Sequence, residues 1–201
     1  MTLSAQGMTR DADLTAVWLP QEQADEGLGA RIRRAAGGGK PIRGRGIETD
    51  GEDLVLIPTL PGRRSRFSGA KTLGRGDAEV VPYWMRYPTD VAQKERLDQA
   101  PYLFSVRVFA SPQWQQPIRD WLDQEHFERQ RAMDGVFYSE GYEPLEGPFH
   151  FFNLWAIAHP DLIDSPEWIR VRDSAWFEDV RPGFQASVVL RKIYRILEPD
   201  S

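Results

Sequence analysis

Three histidines are the side chains of this sequence best suited to moving a proton near neutral pH. The 201-residue chain contains His126, His150 and His159 and no cysteine. The spacing of Ile118, Trp121 and His126 predicts one face of an amphipathic helix that packs on a sheet. An imidazole there can accept and return a proton at a carbon next to a carbonyl. We therefore predict His126 as a catalytic acid/base, and the alternative is a histidine that caps or forms a salt bridge near the helix end.

Polar and amphipathic side chains on the predicted strands are candidates for binding a substrate. Arg107 lies in mid-strand, on the face opposite Phe104, and this indicates a face that lines a polar cavity or contacts a partner. Its guanidinium would stabilise an enolate, and the alternative is a cross-strand ion pair. Trp121 would flank a flat substrate or else pack in the core. The predicted substrate-binding residues are Arg107, Trp121, Tyr138, His150, Asn153 and Trp155.

No metal site is predicted, because no two histidines are closely spaced and cysteine is absent. A cofactor-independent protein is the expectation, and haem held by one of the histidines is the alternative. The net charge is -5, with 15 basic and 14 acidic residues in positions 1–100 and 10 and 16 in positions 101–201. Because no basic stripe is present, we expect no nucleic-acid partner. No apolar stretch approaches membrane-spanning length, so a cytoplasmic protein without a membrane contact is expected.

A repeated strand–helix signal organises the second half of the chain. The apolar run Tyr102–Ala110 precedes Ser111-Pro112-Gln113-Trp114, and Phe149–Ala158 precedes Ser165-Pro166-Glu167-Trp168. In each motif serine can cap a helix and proline favours its first turn. A strand after each helix gives the order β-α-β-β-α-β, which is the ferredoxin-like arrangement. The first helix is predicted over Pro112–Met133 and the last strand over Gln185–Ile196.

The first half of the chain is more irregular. Residues 1–12 are predicted to be a flexible N-terminus, and residues 13–100 an α+β region that is either a degenerate ferredoxin-like repeat or an extension that wraps residues 101–201. Pro61–Asp77 is predicted to be a basic loop, on a solvated face or binding an acidic partner. The other predicted elements are strands Leu14–Leu19, Ile42–Thr49, Leu54–Thr59 and Glu79–Tyr87, helices Gln23–Ala36 and Val91–Leu97, and an Asp50-Gly51 hairpin turn.

Several short motifs resemble those of a known group of proteins. Trp121-Leu122-Asp123-Gln124-Glu125-His126, followed by Gly135-Val136, is similar to the helix motif of dimeric α/β-barrel proteins, particularly the EthD-like branch. Asp164-Ser165-Pro166, Trp176 and Val180–Phe184 are similar to the second helix of that branch and its exit into the last strand. The resemblance covers residues 101–197. It implies two four-stranded sheets closed face to face, in relatives that include polyketide cyclases, lactone isomerases, monooxygenases and haem-handling enzymes.

The fold expected is therefore α+β, with a ferredoxin-like domain at residues 101–201 completing a dimeric, or intrachain pseudo-dimeric, α/β barrel. We expect a homodimer unless residues 13–100 supply the second sheet. The function expected is a cyclase-like lyase or isomerase that performs proton-transfer chemistry on a flat, carbonyl-containing, polyketide-like or aromatic molecule. The alternatives are a non-catalytic or haem-binding barrel and a protein-interaction module.

Overall fold

The computed structural model describes residues 13–20, 41–47, 51–58, 79–88 and 96–197. Within those ranges eight antiparallel strands close into one barrel. The strands are β1 (Leu14–Pro20), β2 (Ile42–Gly46), β3 (Glu52–Pro58), β4 (Glu79–Tyr87), β5 (Tyr102–Phe109), β6 (Val136–Pro144), β7 (Phe151–Ile157) and β8 (Val188–Ile196). The helices are α1 (Pro112–Trp121), a π-helical turn (Leu122–His126), α2 (Phe127–Arg131), α3 (Pro166–Arg172) and α4 (Ala175–Gln185), with 3-10 turns at Leu97–Gln99 and Pro160–Asp164.

The strand order shows where the closing sheet comes from. Around the barrel the order is β1-β3-β2-β8-β5-β7-β6-β4. The first four strands of the chain are therefore contiguous, and so are the last four. The two sheets join where β2 pairs with β8 and where β4 pairs with β6. Of the two expected sources of the closing sheet, the one found is the first half of the same chain.

Strand β5 shows how the sheet divides two cores. Successive side chains of a strand point to opposite faces. Phe104, Val106 and Val108 pack outward beneath the helices, whereas Leu103 and Arg107 face the barrel interior. The predicted division of this strand into an apolar face and a face bearing Arg107 is confirmed.

The barrel interior is packed with large side chains rather than open. Trp18 of β1 lies 5.7 Å from Phe152 of β7 between ring centroids, and Tyr83 of β4 lies 4.8 Å from the same ring. These contacts cross from one sheet to the other. Aromatic packing of this kind contributes beyond the area it buries, so the interior joins the two halves of the chain.

The two Ser-Pro-x-Trp motifs both begin helices, as predicted. Ser165 Oγ accepts a hydrogen bond from Trp168 N at 3.1 Å, and this caps α3. The side chain of Ser111 makes no such bond, and its backbone oxygen accepts from Trp114 N at 2.9 Å. The side-chain cap predicted at Ser111 is therefore wrong, although α1 begins where expected.

Other boundaries differ by a few residues. The predicted first helix is α1, the π-helical turn and α2 in succession, and it ends at Arg131. The last strand begins at Val188 because α4 continues to Gln185, where Ser187 Oγ donates to Gly183 O at 2.5 Å. In the first half, the predicted hairpin pairs β2 with β3, and Gly51 has a φ of 63°. Helix Gln23–Ala36, loop Pro61–Asp77 and most of helix Val91–Leu97 lie outside the described residues.

In the described part of the chain, none of the helices has the length and apolar character needed to cross a membrane.

Gly183→Ala tests the packing of α4 on α1. A Cβ added at Gly183 would lie 2.7 Å from the Trp114 ring. Helix propensity alone predicts that this change stabilises the protein by about 1 kcal/mol. Overpacking costs about 1–3 kcal/mol, so we expect a net loss of stability in urea denaturation. Asp179→Ala, on the exposed side of the same helix, is the control, and a Gly183→Ala variant as stable as this control would contradict the packing.

Removing the first half of the chain should expose the inner face of the second sheet. Leu103, Phe152, Leu154 and Tyr194 would lose their cover, and a contiguous apolar face drives association. We expect a fragment of residues 101–201 to aggregate or dimerise in light-scattering measurements. A well-behaved monomer would show that the barrel interior is not needed to cover this sheet.

Candidate functional site

Seven aromatic rings fill the space between the helices and the outer face of the second sheet, and we call this set the aromatic layer. From the sheet, Phe104 and Trp155 stack with ring centroids 5.3 Å apart, and from the helices, Trp121 and Phe177 lie 5.1 Å apart. The aromatic layer consists of Phe104, Trp121, Phe127, Trp155, Trp168, Phe177 and Phe184. It forms a flat-sided, apolar environment with indole N–H groups at its edges.

His126 lies inside the aromatic layer. It ends the π-helical turn, where Phe127 N donates to Leu122 O, five residues back. The imidazole centroid is 4.0 Å from the Trp121 ring and 6.0 Å from the Trp155 ring. The prediction that His126 faces the sheet is confirmed, and π-helical turns of this kind are frequent at functional sites.

Burial controls the charge of His126. Desolvation, and then the nearby guanidinium groups of Arg172 and Arg129, lower the pKa of His126 to about 3. The imidazole is therefore neutral across the physiological pH range. Its Nδ1 is buried and has no hydrogen-bond partner among the described residues. The side chain is thus a neutral imidazole with one free ring nitrogen, held against two indoles.

His126 is one of four buried side chains here whose polar atoms have no partner in the described part of the chain. The others are Trp121 and Trp155, through Nε1, and Gln130, through both amide atoms. Gln130 is fully buried and follows His126 by four residues, on the same helix face. A buried polar atom without a hydrogen-bond partner costs about 1–3 kcal/mol, and buried polar groups in folded proteins are ordinarily paired. Groups kept in this condition are suited to pairing with a ligand.

A buried charge network borders the aromatic layer. Arg86 of β4 donates to Asp123 in the π-helical turn and, through Nη2, to Asn153 Oδ1 at 3.3 Å. Burial, only partly offset by Glu143, lowers the pKa of Arg86 to about 10. The predicted site residue Asn153 is therefore held by a residue of the first half of the chain.

Two predicted site residues, Arg107 and Tyr138, lie on the other side of the sheet. Arg107 Nη1 is 2.6 Å from Glu79 Oε2, and its Cζ is 4.2 Å from the Trp18 ring centroid. The ion pair weighed as the alternative for Arg107 is thus present, and it crosses the barrel. Tyr138 donates a hydrogen bond to the buried Glu140. Both side chains are separated from His126 by the sheet.

His150 lies at a third position. The strand predicted from Phe149 begins at Phe151, so His150 precedes it. Its Nδ1 accepts a hydrogen bond from Ala110 N at 3.1 Å, and its Nε2 is 2.8 Å from Gln115 Nε2. Burial lowers the pKa of His150. Its observed contacts join the end of β5 to the start of β7.

The structure therefore brings together His126, Trp121 and Trp155, with Asn153 beside them, and it separates Arg107, Tyr138 and His150 from them. Sequence reasoning did not identify Gln130 or Arg86. The four-residue spacing from His126 was the available signal for Gln130, and a charge near the end of the predicted strand Glu79–Tyr87 was the signal for Arg86. The roles of these residues in binding or catalysis remain predictions.

Among the residues described, no group of three or more histidine, cysteine, aspartate or glutamate side chains is arranged to hold a metal ion.

No protein-family model and no curated protein matches the chain at the level of sequence. Solved structures do match its fold. A protein from Lactobacillus acidophilus NCFM, provisionally assigned as a monooxygenase, is 8% identical with a TM-score of 0.56, and the match covers 95% of each chain. An anthrone oxidase-like protein is 12% identical with a TM-score of 0.56, covering 94% of this chain and 93% of that one. A heme-binding protein from Thermus thermophilus is 13% identical with a TM-score of 0.51, covering 94% and 92%.

These matches extend over nine tenths of both chains, so they concern the whole barrel rather than one half. The chain has a mixed α+β fold built on a closed antiparallel barrel, and it shares this fold with these solved structures. At these identities the likeness shows the fold alone.

The depressed basicity of His126 predicts how stability depends on pH. Between about pH 6.5 and pH 3 the unfolded chain binds a proton at this residue and the folded chain does not. Stability therefore falls as the pH is lowered through this window, by up to a few kcal/mol from this residue. We expect His126→Phe to flatten the loss of unfolding free energy between pH 7.5 and pH 4.5 in urea denaturation. The exposed His159→Gln variant should follow the wild-type curve, and parallel curves for wild type and His126→Phe would contradict the burial of a neutral imidazole.

Proposed function

We propose that this protein binds a flat, carbonyl-containing aromatic molecule in the aromatic layer and performs proton-transfer chemistry on it with His126 as acid/base. The observation that carries the proposal is the set of buried, unpartnered polar atoms on Trp121, His126, Gln130 and Trp155. Buried polar groups are ordinarily hydrogen-bonded in folded proteins, so a cluster of unpartnered groups marks a place where a ligand would find hydrogen-bond partners.

The chemistry of these groups defines the ligand class. Two indole N–H groups donate, and they suit carbonyl or phenolic oxygens. The Gln130 amide both donates and accepts, and the aromatic rings offer stacking faces. A fused-ring molecule bearing several oxygens would satisfy all of them. Because Trp121 lies 4.0 Å from the imidazole, its ring would have to move for a ligand to stack there.

The proposed reaction is the removal and return of a proton at a carbon acid, as in a cyclisation, dehydration or isomerisation. A neutral imidazole is in the protonation state required to accept a proton. Because its pKa is low, His126 is a weak base in the present environment. The negative charge that develops on the substrate would therefore have to stabilise the imidazolium. Hydrogen bonds from Trp155 and Gln130 to the substrate oxygen would stabilise the enolate formed.

The anthrone oxidase-like neighbour is named for a tricyclic aromatic ketone, and this supports the ligand class proposed. The inner-face residues Arg107 and Tyr138 and the strand-edge His150 lie outside this proposed site. Trp121, Trp155 and Asn153 remain as its proposed binding residues, and Gln130 joins them.

Haem binding is the second candidate, because a neutral imidazole with a free nitrogen is also an axial ligand. Among the neighbours, one is described as a heme-binding protein. His126 is the residue that would hold a haem, which would supply redox chemistry at its iron. The donor fits, but a porphyrin is larger than a three-ring ketone and would have to displace more of the seven rings of the aromatic layer. Proton-transfer chemistry is therefore the function we prefer.

The architecture also supports a finer assignment, which we propose with the function. Each run of four consecutive strands has the same order, β4-β1-β3-β2 and β8-β5-β7-β6. This is the order of a ferredoxin-like sheet. We propose that residues 13–100 are a degenerate second copy and that the chain is a pseudo-dimer related to the EthD-like branch. A homodimer and a cytoplasmic location remain predictions, and barrel closure does not require a second subunit.

Anthrone is a suitable probe, because it is flat, bears a carbonyl and carries enolisable C–H protons. We expect it to quench the tryptophan fluorescence of the protein, and the protein to accelerate deuterium exchange at those protons, followed by NMR. His126→Ala should lower the exchange rate by roughly a hundredfold, the usual effect of one acid/base group, while circular dichroism stays unchanged. His159→Ala is the matched control.

Failure of anthrone and related fused-ring ketones to bind would overturn the binding proposal. Binding with equal exchange in wild type and His126→Ala would overturn the role of His126 alone. A Soret band after addition of haem, lost in His126→Ala, would instead support the second candidate.

A further inference from the structure

Arginines border one side of the aromatic layer. Arg172, the last residue of α3, and Arg181 of α4 place their Cζ atoms 5.9 Å and 4.6 Å from the centroid of the Phe177 ring. Phe177 in turn contacts Trp121, which covers His126. Two guanidinium groups therefore lie on a ring of the proposed binding layer itself.

Arg129 brings a third cation to the same border. It follows His126 by three residues, and its Nη2 donates to the backbone oxygen of Arg170 in α3 at 3.4 Å. This contact directs Arg129 from α2 toward the helix that carries Arg172. We call Arg129, Arg172 and Arg181 the arginine rim.

Two arginines of the rim have carboxylate partners that are partly exposed. Glu125 lies 2.8 Å from Arg129, and Asp173 lies 2.6 Å from Arg172. Each of these carboxylate side chains is about a quarter exposed. Partly exposed pairs of this kind are worth about 0–1 kcal/mol. A carboxylate brought in by a ligand could therefore replace one of them at little cost.

The electrostatic environment of His126 also indicates that positive charge lies close to the aromatic layer. The charges that act most strongly on its imidazole are those of Arg172 and Arg129, and both lower its pKa. The neighbouring Glu125 is turned away, since Ser174 Oγ and Arg129 Nη1 donate to its two oxygens. Two guanidinium groups are therefore close enough to His126 to disfavour its protonated form.

We propose that the natural ligand carries a carboxylate, which the arginine rim binds through Arg172 and Arg129 while the flat body of the ligand lies in the aromatic layer. This inference rests on the proposed function, because it concerns the same site. It narrows the substrate class to fused-ring aromatic carboxylic acids. A bound carboxylate would also offset the two arginine charges at His126, and so make the imidazole a stronger base.

Anthraquinone-2-carboxylate and anthraquinone-2-carboxamide are matched probes that differ in this one charge. We expect the wild-type protein to bind the carboxylate about tenfold more tightly than the carboxamide, by tryptophan fluorescence quenching, since a charge-assisted hydrogen bond adds roughly this much. Arg172→Gln should remove that preference, so that this variant binds the two probes with about the same affinity. Arg172→Lys should keep most of it, because the charge remains.

Arg170→Gln is the matched control, since Arg170 is an exposed arginine of the same helix, paired with Glu167 at 3.6 Å. It should bind both probes as the wild type does. Independently of any variant, raising NaCl from about 50 to about 500 mM should reduce the preference for the carboxylate in the wild type.

The possible results distinguish a failure of the carboxylate inference from a failure of the proposed function. Equal affinity of wild type for the two probes would overturn the carboxylate inference and leave the proposed function standing. A preference that survives in Arg172→Gln, or that is insensitive to salt, would overturn the arginine rim as its cause. If neither probe binds, both the inference and the proposed function fail.

Discussion

Closure of the barrel is the constraint on which the other features of this structure depend. A closed sheet has no free edge, and in this chain the central strand β7 of the second sheet is buried on both faces. All seven residues of β7 are buried. Its alternate side chains therefore meet two different environments, the barrel interior at Phe152 and the aromatic layer at Trp155. Each strand position must suit one environment or the other, and this division decides which residues can share a site.

The first half of the chain also reaches across the seam into the outer layer. Arg86 of β4 lies beneath the helices of the second half, where it binds Asp123 of the π-helical turn and Asn153 of β7. A buried guanidinium left without these partners would be strongly destabilising. The position of the π-helical turn, and therefore of His126, depends on β4. This strand belongs to the first half of the chain, whereas the recognisable motifs lie in residues 101–197. This explains why the site belongs to the whole barrel although its aromatic rings come from residues 104–184.

Sequence periodicity was sufficient to predict the individual strands and helices and the faces they bury. It was not sufficient to predict which residues share a site. The alternation in Leu103–Phe109 predicted the two faces of β5, and the spacing from Ile118 to His126 predicted which helix face packs on the sheet. Both His126 and Arg107 were then inward-facing residues, yet one faces the outer surface of the sheet and the other its inner surface. The sheet separates them, and closure of the barrel makes its inner face a separate interior. That closure depends on strand pairing between residues far apart in sequence. Gln130 was missed because a glutamine in a helix ordinarily lies at the surface.

The polar groups on the two faces of the sheet differ in whether the chain itself satisfies them. On the inner face, Glu140 accepts hydrogen bonds from Tyr138 and Tyr142, and Arg107 pairs with Glu79. These groups gain little by exchanging protein partners for a ligand. Trp18 Nε1 is an exception, although the Arg107 guanidinium lies over that indole ring.

On the outer face the imidazole, both indoles and the glutamine amide are buried without partners in the described residues. A ligand that pairs with them recovers a desolvation cost already incurred on folding, and this adds to the affinity that stacking alone would supply. The difference between satisfied and unsatisfied buried groups, more than the presence of any one residue type, is the reason to place the site on the outer face.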